Sequence, residues 1–301
     1  MNTNSRNWVS TYIDYMMAEK YAEGINLKMQ YFPQSFFKYR KLNSRTIDSI
    51  KDSKIWLAEI ASLNDPFECS VQFDNNECLR LFFSDKNFLK GFKEKFGVEL
   101  SNNEMNEIVN SEEPYLVYSR ICISKNIELN ISPEKQLIIV QKRWAEIVDQ
   151  TNKNLRICCF SEFNDSLLMW SHYADEHKGV CIEYDFKEED EIRSFLQPID
   201  YRDKIYKINI FEDLTALRQI GASLTKCKAW EYEAEWRLTI QRRDNFLPDK
   251  ISVPLPIAIY LGTRFYQNED NVKKQFMEVI EEHNIPIYQI KKHSSEYRLI
   301  K

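Results

Sequence analysis

Glycine sets the first limit on this chain. Only 6 of its 301 residues are glycine, and no two of them stand as G-x-G. Walker and Rossmann phosphate loops need glycines at fixed spacing, because only they let the backbone turn tightly and approach a pyrophosphate. The chain can write neither loop, so ATP, GTP or NAD held in the usual α/β manner is not expected. Hydrophobic residues make up 43%, enough for one large domain with an insertion or for two close subdomains. No uninterrupted apolar run approaches the roughly 20 residues of a spanning helix. Met1–Trp8 is polar and lacks the basic-then-apolar order of a signal peptide. These features predict a cytoplasmic protein without membrane association. A net charge of -5 gives no support for broad nucleic-acid binding.

The seven cysteines are odd in number and contain no C-x-x-C, which suits reduced thiols. No zinc site is expected. His172 and His177 are five apart, so on one helix they diverge by about 140°.

The densest chemistry lies in Trp230-Glu231-Tyr232-Glu233-Ala234-Glu235-Trp236-Arg237. Residues two apart share a face of an extended strand. The spacing therefore predicts a strand over residues 230–241, with Glu231, Glu233 and Glu235 in one acidic row and aromatics on the opposite face. Crowded carboxylates raise one another's pKa and suit general-base work or recognition of ribose hydroxyls. Arg237 is in register with Glu235 and can neutralise it.

Elsewhere the pattern alternates between helix and strand. Residues 8–24 read as one amphipathic helix on Val9, Ile13, Met16 and Met17, packed on the main body. Phe36 to Leu42 reads as a strand, Ser44 to Lys51 as a helix and Lys54 to Ala58 as a strand. Leu63-Asn64-Asp65-Pro66-Phe67 reads as a turn. Residues 76–152 carry helical spacing (Leu79, Phe82 and Phe83; Phe88, Phe92 and Phe96; Leu137, Val140, Trp144 and Val148) and read as a helical insertion. Arg156 to Phe160 is a strand. A helix over Leu167 to His177 follows, capped by Asp165 or Ser166 and closed by Gly179. Val180 to Asp185 alternates as a strand, with Val180, Ile182 and Tyr184 inward. Asp213 to Leu224 and Glu269 to His283 read as helices, and Ile257 to Leu261, Ile287 to Ile290 and Tyr297 to Ile300 as strands. The class is α+β with a mixed or antiparallel sheet core. The expected division is an N-terminal helical extension (1–33), a core (34–75 with 153–301) and the insertion (76–152).

Two further segments carry more polar chemistry than a plain core needs. Lys38 and Arg40 share one strand face, with Tyr39 on the other, and two such cations suit a pyrophosphate or carboxylate. The helix after Ser166 gathers Met169, Trp170, His172, Tyr173 and His177, and either histidine can serve as a donor or acid–base group near neutral pH. Serine hydrolysis has less behind it, since no G-x-S-x-G is present. A thiol hydrolase built on Cys158 or Cys159 with His172 rests on residue types alone. A two-metal nuclease would draw on Asp65, Glu68 and the acidic strand.

An ordered set of motifs resembles the bacterial domain-of-unknown-function family 2971. The matching pieces are Phe37-Lys38-Tyr39-Arg40, Ile55-Trp56-Leu57, Leu63-Asn64-Asp65-Pro66-Phe67, Cys159-Phe160-Ser161 and Met169-Trp170-Ser171-His172-Tyr173-Ala174. His177-Lys178-Gly179-Val180, Trp230 with Glu233-Ala234-Glu235-Trp236-Arg237, and Ile259-Tyr260-Leu261-Gly262 complete it. A looser resemblance is to the split-sheet core of ADP-ribosyltransferase-like toxins, which need no glycine-rich loop. That resemblance implies an α+β fold with a split β-sheet core and NAD as substrate. It implies Lys38, Tyr39, Arg40, Trp170, Tyr173, His177 and Arg237 as the NAD-binding set, and Glu235, Glu233 and His172 as the catalytic set, with no metal. It further implies an effector in phage defence or a toxin–antitoxin pair. The acceptor would be a nucleic acid or protein, and an antitoxin or defence-complex partner would dock on the helical insertion. A metal-dependent nuclease and a non-catalytic sensor are the alternatives.

Overall fold

The computed structural model describes residues 6–73, 80, 83, 85–131, 133–208, 221–241 and 249–301. They divide into two compact units. The first holds Met1–Cys69, Lys153–Lys204 and Ile220–Lys301, and the second Ser70–Asn152 and Ile205–Gln219. Among the described residues no helix is long and apolar enough to cross a membrane.

The first unit is built on an eight-stranded mixed sheet, in keeping with the α+β class. Its strands are β1 (Phe36–Arg40), β2 (Ala58–Glu59), β3 (Leu155–Ser161), β4 (Val180–Tyr184), β5 (Leu196–Pro198), β6 (Glu235–Gln241), β7 (Ala258–Leu261) and β8 (Ile287–Gln289). The order is β8-β7-β4-β1-β3-β6-β5, with β2 on β3. Only β7 and β8 run parallel within it.

The pairing around β3 opens this sheet. Along one edge β3 pairs with β6 over its whole length, from Ser161 opposite Glu235 to Leu155 opposite Gln241. On the other edge β1 meets it only at Phe37 opposite Ser161, and β2 takes the far end, with Ala58 opposite Ile157. Residues 158–160 are left between the two without a strand partner on that edge. The Lys38 ammonium enters the gap and donates to the Cys159 carbonyl at 2.9 Å. A buried carbonyl needs a partner, and here a side chain replaces the missing strand.

Alternation along the strands sends two sets of residues to opposite faces. Phe36, Phe160, Ile182, Tyr184, Trp236 and Leu238 enter the large core. Helix α1 (Trp8–Met17) packs there through Trp8, Val9, Tyr12 and Ile13, and α3 (Ser44–Lys51) and α5 (Asp270–Glu282) through Ile47, Ile50, Phe276 and Ile280. On the opposite face Tyr39, Cys181, Ala258 and Tyr260 pack with Met169 and Trp170 of α4 (Leu167–Tyr173).

Several local expectations need correction. The segment expected as one helix over 8–24 is two, α1 and α2 (Tyr21–Gln30). Glu19 adopts φ 60, and the Lys20 amide donates to the Tyr15 carbonyl, a helix stop usually built on glycine. The strand expected over 54–58 is interrupted between Lys54–Trp56 and β2. The acidic strand begins only at Glu235; Lys228–Glu233 is a 3-10 turn, and Ala234 joins the two at φ 43. The row of three glutamates on one strand face is therefore not formed.

Helix α4 ends at Tyr173 rather than His177. Asp175, Glu176 and His177 follow with φ of 48, 53 and 70. Such residues cost roughly 1–2 kcal/mol each, offset here by bonds from the His177 amide to the Trp170 carbonyl and from Gly179 to Ala174. Gly179 does not close the helix as expected; it lets strands approach. A Cβ there would lie 2.1 Å from the Arg40 carbonyl, and one on Gly262 would lie 2.1 Å from the His177 carbonyl.

The second unit holds helices Lys86–Phe96, Asn102–Asn110, Pro114–Ser124 and Pro133–Lys153, the last reaching one residue into the first unit, and strands Val71–Phe73 and Tyr206–Ile208 paired in parallel. Its core gathers Phe83, Phe92, Ile108, Tyr118 and Ile121. The expected contributions of Leu79 and Phe82, the side chains of Leu137, Val140 and Trp144, and residues 213–220 of an expected helix lie outside the described residues. Residues 222–224 form a 3-10 turn.

Gly179→Ala and Gly262→Ala are each expected to lower the unfolding free energy by about 3 kcal/mol, the upper range for forced overpacking, in urea denaturation. Gly91→Ala is the control, because its added methyl meets nothing and removes a helical glycine. A loss under about 1 kcal/mol at Gly179 would contradict the close approach.

Candidate functional site

The gap in the sheet opens into a cavity of about 450 Å³ within the first unit, inside the range of roughly 300–1,000 Å³ typical of small-molecule sites. Because it sits where the sheet is interrupted, it is lined from both faces. Lys38, Tyr39 and Arg40 come from β1, Arg45 from α3, Cys159 and Ser161 from β3, Met169 and Tyr173 from α4. Trp56, Asn64, Glu68, Lys226, Glu233 and Glu235 complete the lining.

The cationic wall is β1 and α3. Lys38 is 9% exposed, and its ammonium also lies 5.1 Å from the Phe160 ring centre. The Arg45 guanidinium lies 4.6 Å from the Trp56 ring centre. Neither they nor Arg40 has a carboxylate partner among the described residues. Such cations attract an anion more strongly than paired ones.

The acidic wall is a buried chain of charges. Arg237 is fully buried on β6 and joins Glu235 (Nε to Oε1, 2.8 Å) to Glu68 (Nη1 to Oε1, 2.6 Å), while donating to the Ser223 carbonyl at 2.6 Å. Lys226, on the short strand Thr225–Cys227, donates to Glu235 at 3.1 Å and to Glu233 at 2.5 Å. Tyr173 donates to the other Glu233 oxygen at 2.6 Å, and Asn64 donates to the Tyr173 hydroxyl at 3.0 Å. Ala234 in its left-handed conformation lets both glutamates arrive at one ammonium.

These surroundings separate the two acids. Burial would raise the pKa of Glu235, but Arg237 and Lys226 outweigh it and hold the carboxyl well below the usual range. Burial raises Glu233, Lys226 opposes this and Glu235 adds to it; the net shift is upward. Burial and then Glu233 raise the Tyr173 hydroxyl, keeping the phenol protonated as a donor. Of the two carboxyls, Glu233 is therefore the one shifted upward and Glu235 the one shifted downward.

The structure brings Lys38, Tyr39, Arg40, Tyr173, Glu233 and Glu235 to this one cavity. It places four other expected site residues away from its lining. Trp170 is fully buried, with its indole N–H on the Asn164 carbonyl at 2.7 Å. Arg237 is enclosed by Glu235 and Glu68. His172 is exposed, its ring 6.2 Å from that of Tyr232. His177 stacks on Trp170 at 6.3 Å, with Nε2 3.1 Å from the Ser171 hydroxyl. That hydroxyl also lies within hydrogen-bond distance of the Leu167 carbonyl, at 2.9 Å. Tyr39 donates to the Phe163 carbonyl at 2.8 Å.

Asp65 and Glu68 are likewise occupied. Asp65 accepts the Phe67 amide at 2.9 Å within its turn, and Glu68 holds Arg237. Among the described residues no group of three or more His, Cys, Asp or Glu side chains is placed to hold a metal ion. Sequence reasoning missed Lys226, a lysine between Thr225 and Cys227 that belongs to no motif.

The comparisons with known proteins bear on the segment that carries most of these residues. Residues 169–238 match the model of a family described as protein of unknown function (DUF2971). Over this span the chain is similar to that family. No curated protein and no solved structure matches it. The DUF2971 span runs from Met169 through Tyr173, Lys226, Glu233 and Glu235 to one residue past Arg237, and so covers the acidic wall apart from Glu68 and Asn64.

Glu235→Gln leaves Arg237 and Lys226 short of a carboxylate and is expected to cost about 3–5 kcal/mol, the range for breaking a buried pair, in chemical denaturation at pH 7. Glu233→Gln is expected to cost less, since Lys226 keeps Glu235. The depressed Glu235 pKa adds stability that is present above the unfolded value of 4.5 and is lost as pH falls through the folded value. Stability should thus fall as the solution is acidified below pH 4.5, more steeply in the wild type than in Glu235→Gln. Parallel acid limbs would contradict the assignment.

Proposed function

We propose that the cavity binds NAD and that the protein transfers its ADP-ribosyl group to an acceptor. One observation carries this reading: cations with no carboxylate partner among the described residues line a single cavity together with Glu233, whose carboxyl is shifted by burial above its ordinary range. Arg40, with Lys38 and Arg45, supplies donors for the diphosphate, and Arg does so bidentately. Tyr173 and Trp56 offer aromatic surface to the rings. Glu233 lies beside the Tyr173 hydroxyl, where it would meet a ribose.

In the transfer the bond from ribose C1′ to the pyridinium nitrogen breaks, and nicotinamide leaves with the electron pair. The acceptor's nucleophile forms the new bond and gives up its proton. Positive charge develops on the ribose in between, and an ionised carboxylate beside it stabilises that state. The environment favours Glu233 over Glu235 for this role, because Glu235 is already held by two cations. Activity then rises with pH as Glu233 ionises, on a limb displaced above the ordinary 4.5 by its raised pKa.

The resemblance alone carries the remainder of the reading: an effector of phage defence or of a toxin–antitoxin pair, acting in the cytoplasm on a nucleic-acid or protein acceptor. A second reading, a non-catalytic module that binds a nucleotide, has its own support, since Glu235, Glu68 and Lys226 are all committed to one another. No comparable observation favours a metal-dependent nuclease.

The test is NAD labelled in the nicotinamide ring, incubated with the folded protein with and without cell lysate. Release of free nicotinamide is expected. Arg40→Ala and Glu233→Gln should each slow it by about 100-fold or more, the scale of one acid–base or electrostatic group. Saturable NAD binding without release would favour the binding module. Absence of both binding and release from folded protein would contradict the proposal.

A further inference from the structure

The acidic wall depends on a residue that belongs to neither of the elements carrying Glu233 and Glu235. Thr225–Cys227 lies outside the main sheet and pairs in parallel with Asp200–Arg202, Lys226 standing opposite Tyr201. The Tyr201 hydroxyl accepts the Glu235 amide at 2.8 Å, so this small two-stranded layer is bonded to the first residue of β6. From it the Lys226 ammonium reaches both Glu233 and Glu235, and it lies 5.0 Å from the Trp230 ring centre. Lys226 is 7% exposed, Glu233 3% and Glu235 2%.

Arg237 cannot replace it. Its donors go to Glu235, Glu68 and the Ser223 carbonyl. Among the described residues Lys226 is the one cation bonded to Glu233. The groups facing this ammonium from the surrounding elements are Glu233 from the 3-10 turn, Glu235 and Arg237 from β6, and Cys159 from β3. Glu68 and Tyr173 approach the same cluster through Arg237 and Glu233. Glu68, Glu233 and Glu235 thus meet two cations, Lys226 and Arg237. Removing Lys226 would leave Glu235 and Glu68 on the Arg237 guanidinium and Glu233 with no cation bonded to it among the described residues.

We propose that Lys226 is the positioning residue of the site: its single ammonium holds Glu233 and Glu235 together and keeps the Glu233 carboxylate charged and turned to the cavity. The effect on turnover rests on the NAD reading above; the effect on Glu233 itself does not. A lysine acting only as core filling would give the same result when replaced by a methionine of similar length.

Lys226→Met and Lys226→Arg are compared with the wild type in two measurements. The first follows the Glu233 side-chain carboxyl by carbon-13 NMR against pH, assigned through Glu233→Gln. Lys226→Met should raise its midpoint by about one pH unit or more, as expected on losing an opposite charge in contact, and Lys226→Arg should return it toward wild type. The second follows nicotinamide release against pH, where the rising limb should move with the NMR midpoint. If Lys226→Met does not fold, Lys226→Met/Glu235→Gln removes one charge of each sign and is titrated against Glu235→Gln. An unchanged Glu233 midpoint in the folded methionine variant overturns the proposal. A shifted midpoint without nicotinamide release in any protein supports Lys226 as the positioning residue and counts against NAD transfer alone.

Discussion

Glu68, Arg237, Glu235, Lys226 and Glu233 form one unbroken chain of contacts between charged groups, almost wholly out of solvent. Each buried ion costs several kcal/mol to desolvate, and mutual attraction offsets that only when geometry is good and every partner is present. The chain therefore ties together parts of the first unit that are distant in sequence. Glu68 follows the Leu63–Phe67 turn, Arg237 lies mid-sheet, and Lys226 arrives on a separate two-stranded layer. Arg6 adds a further tie, donating to the Glu235 carbonyl at 2.9 Å and to Glu162 at 3.0 Å. The same arrangement leaves the acids unequal. Glu235 is held by two cations and Glu233 by one, and that difference separates their chemistry.

The gap in the sheet turns this structural network into the wall of a cavity. With β1 and β2 meeting opposite ends of one β3 edge, side chains from both faces reach the same space. Lys38 and Arg40 project from β1 on the side of Phe36, whereas Cys159, Ser161 and Glu235 belong to the other face. In a continuous sheet they would be separated by the sheet itself. Here cations with no acidic partner among the described residues share a cavity with a carboxyl of raised pKa, a polarity suited to a ligand that is anionic in one part and hydroxylated in another. The close approach of Gly179 to the Arg40 carbonyl fixes the end of β1 beside the left-handed turn after α4, and that of Gly262 to the His177 carbonyl holds the same turn.

Regular periodicity and turn chemistry were readable in the sequence. Ser166, one of the two cap candidates, caps α4 by accepting the Met169 amide at 3.4 Å, and Val180, Ile182 and Tyr184 face the large core as their alternation requires. Lys38 and Arg40 share a face for the same reason. The features that were not readable depend on tertiary constraint. Glu19 and Ala234 adopt left-handed conformations with residues that give no local sign of it. Asp175–His177 keeps three such residues in succession because the backbone of Trp170, Ala174 and Arg264 bonds around them. Glu233 and Glu235 meet at one ammonium, but through a kink and not through strand alternation. Lys226 carried no motif, because its importance comes from two acids that reach it only in the folded chain.

The central claim is that NAD enters the gap between β1 and β2. The most direct measurement is methyl NMR of the protein during NAD addition, with assigned signals for the lining residues Leu57, Leu63, Ile157 and Met169. The account predicts saturable shifts in these methyls, with buried Ile108 and Ile121 of the second unit unchanged. Shifts confined to other residues, or none at concentrations where a nucleotide would saturate such a cavity, would contradict it.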